Sequence, residues 1–222
     1  MLRCDLHIHS NYSHDGESSV EEILHIAEER GLDAIAIADH DTVEGNRYAQ
    51  TLDSPVLIIP AVEVSTKQGH LLVLGSSEPF DADEDIYQTI AEAHSRGAIT
   101  ILPHPFHLWR HGAGISDPTT VAAVDAVETY NSRHLVGRAN SKAKRYAAKY
   151  HKPCVAGSDA HVATYVGYGV TLIDAEKNVD AILRAIREGK TTPTGQMTPL
   201  STYTRQSMGG VKRRIARRIE KR

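Results

Sequence analysis

Apolar β-like runs that stop at His, Asp or Glu recur along this chain, and that recurrence constrains its fold more than any other feature. Five such stops read Asp5-Leu6-His7-Ile8-His9, Asp39-His40-Asp41, Val62-Glu63-Val64, Pro103-His104-Pro105 and Ser158-Asp159-Ala160-His161. Strands that are apolar throughout, rather than alternating, bury both faces, which is the pattern of a parallel sheet covered by helices. The helix-like segments between them end in a shared way, with Gly31, Ser95-Arg96-Gly97 and Arg187-Glu188-Gly189 each followed by a strand-like run. A helix, a polar last turn, a glycine and a strand form the αβ junction of repeated β/α units.

The pattern predicts strands over 2–8, 34–38, 56–61, 71–74, 98–102, 125–130, 153–156 and 170–173, with another beginning at Thr191. Helices are expected over 83–96, 134–150 and 179–187. A further one follows Ser18-Ser19-Val20-Glu21, which resembles a capping box, with Val20, Ile23, Leu24 and Ala27 as its apolar face. About seven β/α units in this length favour a closed barrel over an open sheet, and barrels gather functional residues at the C-terminal ends of their strands. One domain is expected over 1–198, then a Thr- and Gly-containing linker and basic tail over 199–222.

Composition narrows the class. Hydrophobic residues at 41% and charged residues at 24% are ordinary for a soluble globular protein. The chain has no apolar run long enough to span a bilayer and no charged-then-apolar leader, so a cytoplasmic protein is expected. Cys4 and Cys154 fall inside predicted strands and read as buried free thiols in preference to a disulfide. The net charge of −3 hides an asymmetry: seven basic residues against Glu220 from Val211 onward give the tail +6 and leave −9 for the rest. Met208, Val211, Ile215 and Ile219 form a stripe at roughly helical spacing. The tail therefore reads as a solvated or disordered end, a contact for RNA or single-stranded DNA, a membrane-surface segment, or a packing element. Oligomeric state is not legible.

Residues two apart in a strand share a face, so His7 and His9 can grip one ion, and Asp159 and His161 repeat the spacing. His-x-His alone is weak evidence among thirteen histidines. Taken singly, His40, His70 or His104 reads as a hydrogen-bonded structural histidine, Asp15 as a helix-entry residue and Glu63 as a solvated strand end. Taken together at strand ends, six histidines and three carboxylates (His7, His9, Asp15, His40, Glu63, His70, His104, Asp159 and His161) read as a multinuclear metal site. Mixed imidazole and carboxylate donors suit Zn²⁺, Mn²⁺ or Fe, and the lack of ligating cysteines argues against a purely structural zinc.

These stretches resemble the PHP family, the polymerase and histidinol phosphatase domain. The likeness runs from residue 2 to about 175. Besides the five stops it includes Ser13-His14-Asp15-Gly16, Ala36-Ile37-Ala38-Asp39-His40-Asp41-Thr42, Gly69-His70-Leu71-Leu72 and Gly157-Ser158-Asp159-Ala160-His161. The resemblance implies a distorted (β/α)₇ TIM-like barrel and a phosphoesterase with three divalent ions. It puts His7, His9, Glu63 and Asp159 on the first ion, Glu63, His70 and His104 on the second, and Asp15, His40 and His161 on the third. His14 adjoins Asp15 and could replace it. Glu63, Asp159 and His104 are the expected catalytic residues, serving a metal-activated hydroxide. Asp5 and Asp41 read either as partners orienting ligand imidazoles or as simple strand-end polarity. Substrate contacts are expected from His107, Arg110, Arg133 and His134, and Trp109 or Tyr130 could stack on a base or pack ordinarily.

The function so read is hydrolysis of a small phosphorylated metabolite or nucleotide. The alternatives are a 5′–3′ exonuclease or oligonucleotide phosphodiesterase, and a non-catalytic module stabilised by metal. An amidohydrolase would want a bridging lysine at a strand end, and none occurs here.

Overall fold

The structure, a computed structural model, describes residues 1–107, 112–115, 117–133 and 138–199. Its strands are β1 (Leu2–Ile8), β2 (Ala34–Ile37), β3 (Leu57–Ile58), β4 (Ala61–Thr66), β5 (Gly69–Leu74), β6 (Ile99–Leu102), β7 (Ala126–Asn131), β8 (Cys154–Gly157), β9 (Gly169–Ile173) and β10 (Thr191–Gly195). Its α-helices are α1 (Val20–Glu29), α2 (Glu44–Ala49), α3 (Ile86–Ser95), α4 (Thr120–Ala123), α5 (Arg138–Lys149) and α6 (Val179–Arg187).

The strands pair into two five-stranded sheets, ordered β10-β9-β1-β2-β3 and β4-β5-β6-β7-β8. Four of the eight pairings are parallel and four antiparallel, the latter being β1–β9, β9–β10, β4–β5 and β5–β6. The expected all-parallel sheet is therefore corrected to a mixed one. Apolar runs report burial on both faces, not pairing direction, and β5 is as apolar as its parallel neighbours. The β4–β5 hairpin turns on Lys67-Gln68, with Gly69 at φ +142° entering the return strand, a conformation that costs glycine little. This hairpin also corrects the placement of Glu63, which lies within β4 and not at its end.

No continuous ladder closes the two sheets into one barrel among the described residues. Isolated parallel bridges join them at two seams, Ile8 with Ala160 and His40 with Glu63. The layering is that of repeated β/α units. Leu6, Ala36, Ala61, Leu72, Ile101, Ala126 and Val155 of both sheets share one core with Ile182 and Ile186 of α6. Helices α3, α4 and α5 cover the second sheet, and α1 and α2 the first.

Local signals were displaced in places. The capping box is Ser19 with Glu22, one residue later than expected, because Ser18 is occupied elsewhere, its carbonyl by Asn11 N–H and its hydroxyl by Ala163 N–H. Helices α2 and α4 are six and four residues long, too short to show a periodic face. Cys4 is buried and Cys154 half-buried, both free, and burial beside Asp33 and Asp5 pushes the Cys4 thiol up to about 12. Among the described residues no helix is long and apolar enough to cross a membrane. The basic tail, with Met208, Val211, Ile215 and Ile219, lies outside the described residues, as do Trp109, Arg110 and His134.

Candidate metal centre

Each donor is delivered by backbone that the sheet seams hold. His7 and His9 leave the end of β1, where His9 N–H donates to Ala160 C=O at 2.8 Å and Asp159 N–H to His7 C=O at 2.7 Å. His40 follows β2, and Glu63 N–H donates back to Asp39 C=O at 3.2 Å. Glu63 pairs with Leu72 across the hairpin, so His70, two residues along β5, is its diagonal neighbour on the same face. His104 follows β6 and Asp159 follows β8, with φ of +29° and +53°. Residues bearing a β-carbon seldom adopt such angles, and strain of this kind gathers at functional sites. Asp15 comes from the loop after β1. There a β-carbon on Gly16 would fall 1.9 Å from the Ser10 carbonyl oxygen, so only glycine fits.

All nine predicted donors converge. Their atoms form four groups, each within 4.8 Å: His9, Asp15, His40 and His161; His7, His9 and Glu63; His7, His104 and Asp159; and His40, Glu63 and His70. Glu63 is the hub. Its Oε1 lies 3.1 Å from both His70 Nδ1 and His104 Nε2. Its Oε2 lies 3.4, 3.3 and 3.3 Å from nitrogens of His7, His9 and His40. His9 Nε2 is 3.1 Å from His7 Nε2 and 3.6 Å from Asp159 Oδ1. Asp15 Oδ2 is 2.8 Å from His161 Nε2 and 3.5 Å from His40 Nε2. His14 is exposed, with its ring 5.1 Å from that of His40, and it joins none of these groups.

Electrostatics distinguish the neighbours. Burial opposes charge on His7, but Glu63, Glu128 and Asp159 outweigh it and hold its pKa well above the ordinary value. His40 is likewise pushed up to about 9 against its burial, by Glu63 and Asp15. His9 goes the other way. Burial, then the neighbouring His161 and His40, hold it well below the imidazole range, so one of its nitrogens keeps a lone pair.

The donor set suits bound cations. Metal–nitrogen bonds of about 2.0–2.1 Å set tetrahedrally separate their donors by roughly 3.3–3.4 Å. The contacts around Glu63 span 3.1 to 3.4 Å. His9 Nδ1 and His104 Nδ1 are buried without a hydrogen-bond partner among the described residues, a condition that buried polar atoms rarely tolerate.

The other expected residues divide. Arg133 is buried, with Nη1 against the ring nitrogens of His161 and 3.3 Å from Asp159 Oδ1. His107 is half-buried in the turn beyond His104, whose carbonyl accepts its N–H at 3.0 Å. Asp5 and Asp41 accept from backbone amides and a serine hydroxyl, Asp5 from the amides of Ser158 and Gly167, and Asp41 from the amide and hydroxyl of Ser65. The carboxylate that does reach a ligand ring is Glu128, which the sequence reading passed over. Its signal was a lone acidic residue in the apolar run Ala126–Asn131, ending in an asparagine.

A mixed α/β molecule with imidazole and carboxylate donors at the seams of two sheets defines a class of metal-site proteins. Comparison with known proteins narrows it. A family profile described as PHP-associated matches residues 137–191. An uncharacterised protein of Methanocaldococcus jannaschii is 30% identical over 152 residues, covering 63% of this chain and 88% of that protein. The phosphoribosyl 1,2-cyclic phosphate 1,2-diphosphodiesterase of Eggerthella lenta is 35% identical over 82 residues, covering 33% of this chain and 31% of that enzyme. A two-domain protein of Bacteroides vulgatus, containing a predicted PHP-like metal-dependent phosphoesterase, superposes with a TM-score of 0.73 at 21% identity. That likeness covers 88% of this chain and 65% of the other. The chain belongs to the PHP family.

Proposed function

We propose that the chain is a metal-dependent phosphoesterase hydrolysing a small phosphorylated metabolite or nucleotide. The observation that carries this reading is Glu63, one buried carboxylate with both oxygens directed at imidazoles from β1, β5 and the turns after β2 and β6. His7, His9, Glu63 and Asp159 would hold one divalent ion, Glu63, His70 and His104 a second, and Asp15, His40 and His161 a third, with zinc, manganese or iron as suitable occupants. Such ions, when bound, lower the pKa of water and neutralise charge on phosphoryl oxygens. The order of the elements and the two single-residue seams support a distorted (β/α)₇ barrel with this site at its strand ends.

The chain's own residues bind and orient. Glu63 keeps its charge against burial and so fixes the spacing of the rings around it. His104 and Asp159 fix two edges of the donor cluster through strained backbone. Arg133 supplies a permanent positive charge beside Asp159 and is assigned here as the phosphate contact, a role that guanidinium geometry suits. His107 is assigned to the rim.

The name of the Eggerthella lenta relative gives a specific reason to include phosphodiesters as a second substrate class. The deciding experiment assays phosphate monoesters, cyclic diesters and short RNAs with Mn²⁺, Zn²⁺ and Fe²⁺ supplied separately after chelation. Turnover of monoesters alone supports the metabolite phosphatase. Ring opening of cyclic diesters or stepwise mononucleotide release supports the diesterase, and inertness toward all three classes overturns the proposal.

A further inference from the structure

We propose that Glu128 is the positioning residue of the centre, one buried carboxylate that sets the tautomer of His7, the backbone of His104 and, through Asn131, the carboxylate of Asp159. The inference rests on reading the nine donors as a metal centre. His7, His104 and Asp159 form one of the close donor groups, yet they come from the end of β1, the turn after β6 and the turn after β8. Glu128 contacts the first two directly and the third through Asn131. It projects from the middle of β7 and is 1% exposed. Its Oε1 lies 3.0 Å from His7 Nδ1. Its Oε2 accepts from His104 N–H and from Asn131 Nδ2–H, each at 2.8 Å, and the same Nδ2 donates to Asp159 Oδ2 at 3.1 Å.

Donor counting gives this arrangement direction. An ionised carboxylate only accepts, and Oε2 already takes two N–H groups. Oε1 therefore takes the proton of His7 Nδ1, so Nε2 is the nitrogen left to give up its proton and bind a cation. That nitrogen is the one facing His9 Nε2 at 3.1 Å and Glu63 Oε2 at 3.4 Å. Which imidazole nitrogen binds a cation is set by the hydrogen bond made by the other. Glu128 also holds the amide of His104 in its left-handed conformation. The chain clears room for these contacts, since a β-carbon on Gly157 would fall 2.5 Å from both Glu128 Oε1 and His7 Cβ.

Glu128→Gln separates positioning from mere packing. Glutamine keeps the shape but offers one acceptor and one NH₂ group. Two donors face the Oε2 position, so the amide oxygen belongs there and the NH₂ turns toward His7 Nδ1. His7 must then accept at Nδ1 and carry its proton on Nε2, where it blocks coordination.

The test uses the ¹⁵N-labelled full chain loaded with Zn²⁺ as a diamagnetic probe, with imidazole tautomers read from long-range ¹H–¹⁵N spectra. Wild-type His7 is expected to be protonated at Nδ1. The variant is expected to move that proton to Nε2 and to weaken one zinc-binding step by about 10–100-fold in calorimetric titration, with cooperative unfolding retained. A variant with wild-type His7 resonances and zinc affinity overturns the inference while leaving the metal centre standing. If the variant does not fold, the wild type decides alone, because a His7 proton on Nε2 in the zinc-loaded protein overturns it equally. A wild-type chain that takes up no zinc removes the centre and this inference together.

Discussion

Glu63 and Asp15, a front pair, lie among imidazoles, whereas a rear pair, Asp5 in the middle of β1 and Asp39 in the turn after β2, lies among backbone N–H groups and serines. Burial presses on both pairs and the outcomes are opposite. At Glu63 burial favours the neutral acid, but His70, His40, His7 and a hydrogen bond from His104 hold the carboxyl well below its usual range. Asp15 is held down against burial by His161 and His40. Asp5 and Asp39 are each pushed up to about 6 by burial, which outweighs the hydrogen bonds from Ser158 and Gly167 to the one and from Ser10 to the other. Polar contacts orient a carboxylate without preserving its charge in low dielectric, whereas a ring of cationic or metal-loaded imidazoles preserves it. The front pair is built to keep negative charge, and the rear pair to keep acceptors.

The front pair is broken most directly by Glu63→Gln, which removes the shared anion and leaves the rings in place. Turnover of phosphate esters should fall more than about 100-fold, beyond the 10–100-fold loss typical of outer partners, and elemental analysis should find only the ion held by Asp15, His40 and His161. Turnover within tenfold of wild type, or an unchanged metal content, would sink the role given to this carboxylate. Chelation is the next largest effect. Each ion held only by the folded state at about 1,000 times its dissociation constant adds roughly 4 kcal/mol. At about 2–4 °C per kcal/mol for a domain of this size, stripping them should lower the melting temperature by at least roughly 10 °C. A calorimetric scan unchanged by chelator would mean that the imidazole ring is stable without cations, and the contrast with Asp5 and Asp39 would lose its explanation.

Much of the front region was legible because its chemistry is written in residue type. His, Asp and Glu at the ends of apolar runs are costly to bury unless they share a purpose, and the nine residues so marked are the nine that converge. Strand and helix positions were readable where punctuation was strong, as at Gly97 before β6 and over α6, which spans Val179–Arg187 as expected. Pairing direction was not readable, because β5 owes its antiparallel setting to the Lys67-Gln68 turn and not to its own composition. Glu128 escaped for a related reason. Its contacts run from within β7 to His7 of β1 and to the turn after β6, long-range facts that no local spacing records.

The rear pair is sharpened by Asp39→Asn. Asparagine can accept from Ser10 N–H and donate to Ser10 Oγ, the two atoms that Asp39 contacts at 2.6 Å, so the clasp survives and only the charge goes. The folded pKa of Asp39, about 6, stands above its unfolded value of about 3.9. Its contribution to stability is therefore full below about pH 4 and is lost as pH rises through 6. The chelated variant should be more stable than the chelated wild type by about 1–3 kcal/mol at pH 8, the gap closing toward pH 4. Equal melting curves at both pH values would show that the charge on Asp39 is not penalised, and the two pairs would no longer differ in kind.

Asp125, on the turn between α4 and β7, gives the smallest effect and the comparison's outside control. Burial presses its carboxyl up, but Thr100 N–H at 2.8 Å and His94 at 2.8 Å outweigh that and hold it below the usual range. Its sign is opposite to that of Asp39. The stabilisation is present above the unfolded pKa of about 3.9 and lost as pH falls through the lowered folded value. His94 is 40% exposed, so solvent screens the pair. Asp125→Asn keeps an acceptor for Thr100 and loses only the charge facing His94 and, at 3.7 Å, Arg187. The expected cost in urea denaturation is about 0.5–1 kcal/mol at pH 7, vanishing as pH falls through the lowered folded value, with metal content and turnover unchanged. A larger cost at pH 7 would mean that a carboxylate anchored by an amide and a single exposed imidazole already stabilises its charge strongly, and the crowd of rings around Glu63 would then need no cation to account for its ionised state.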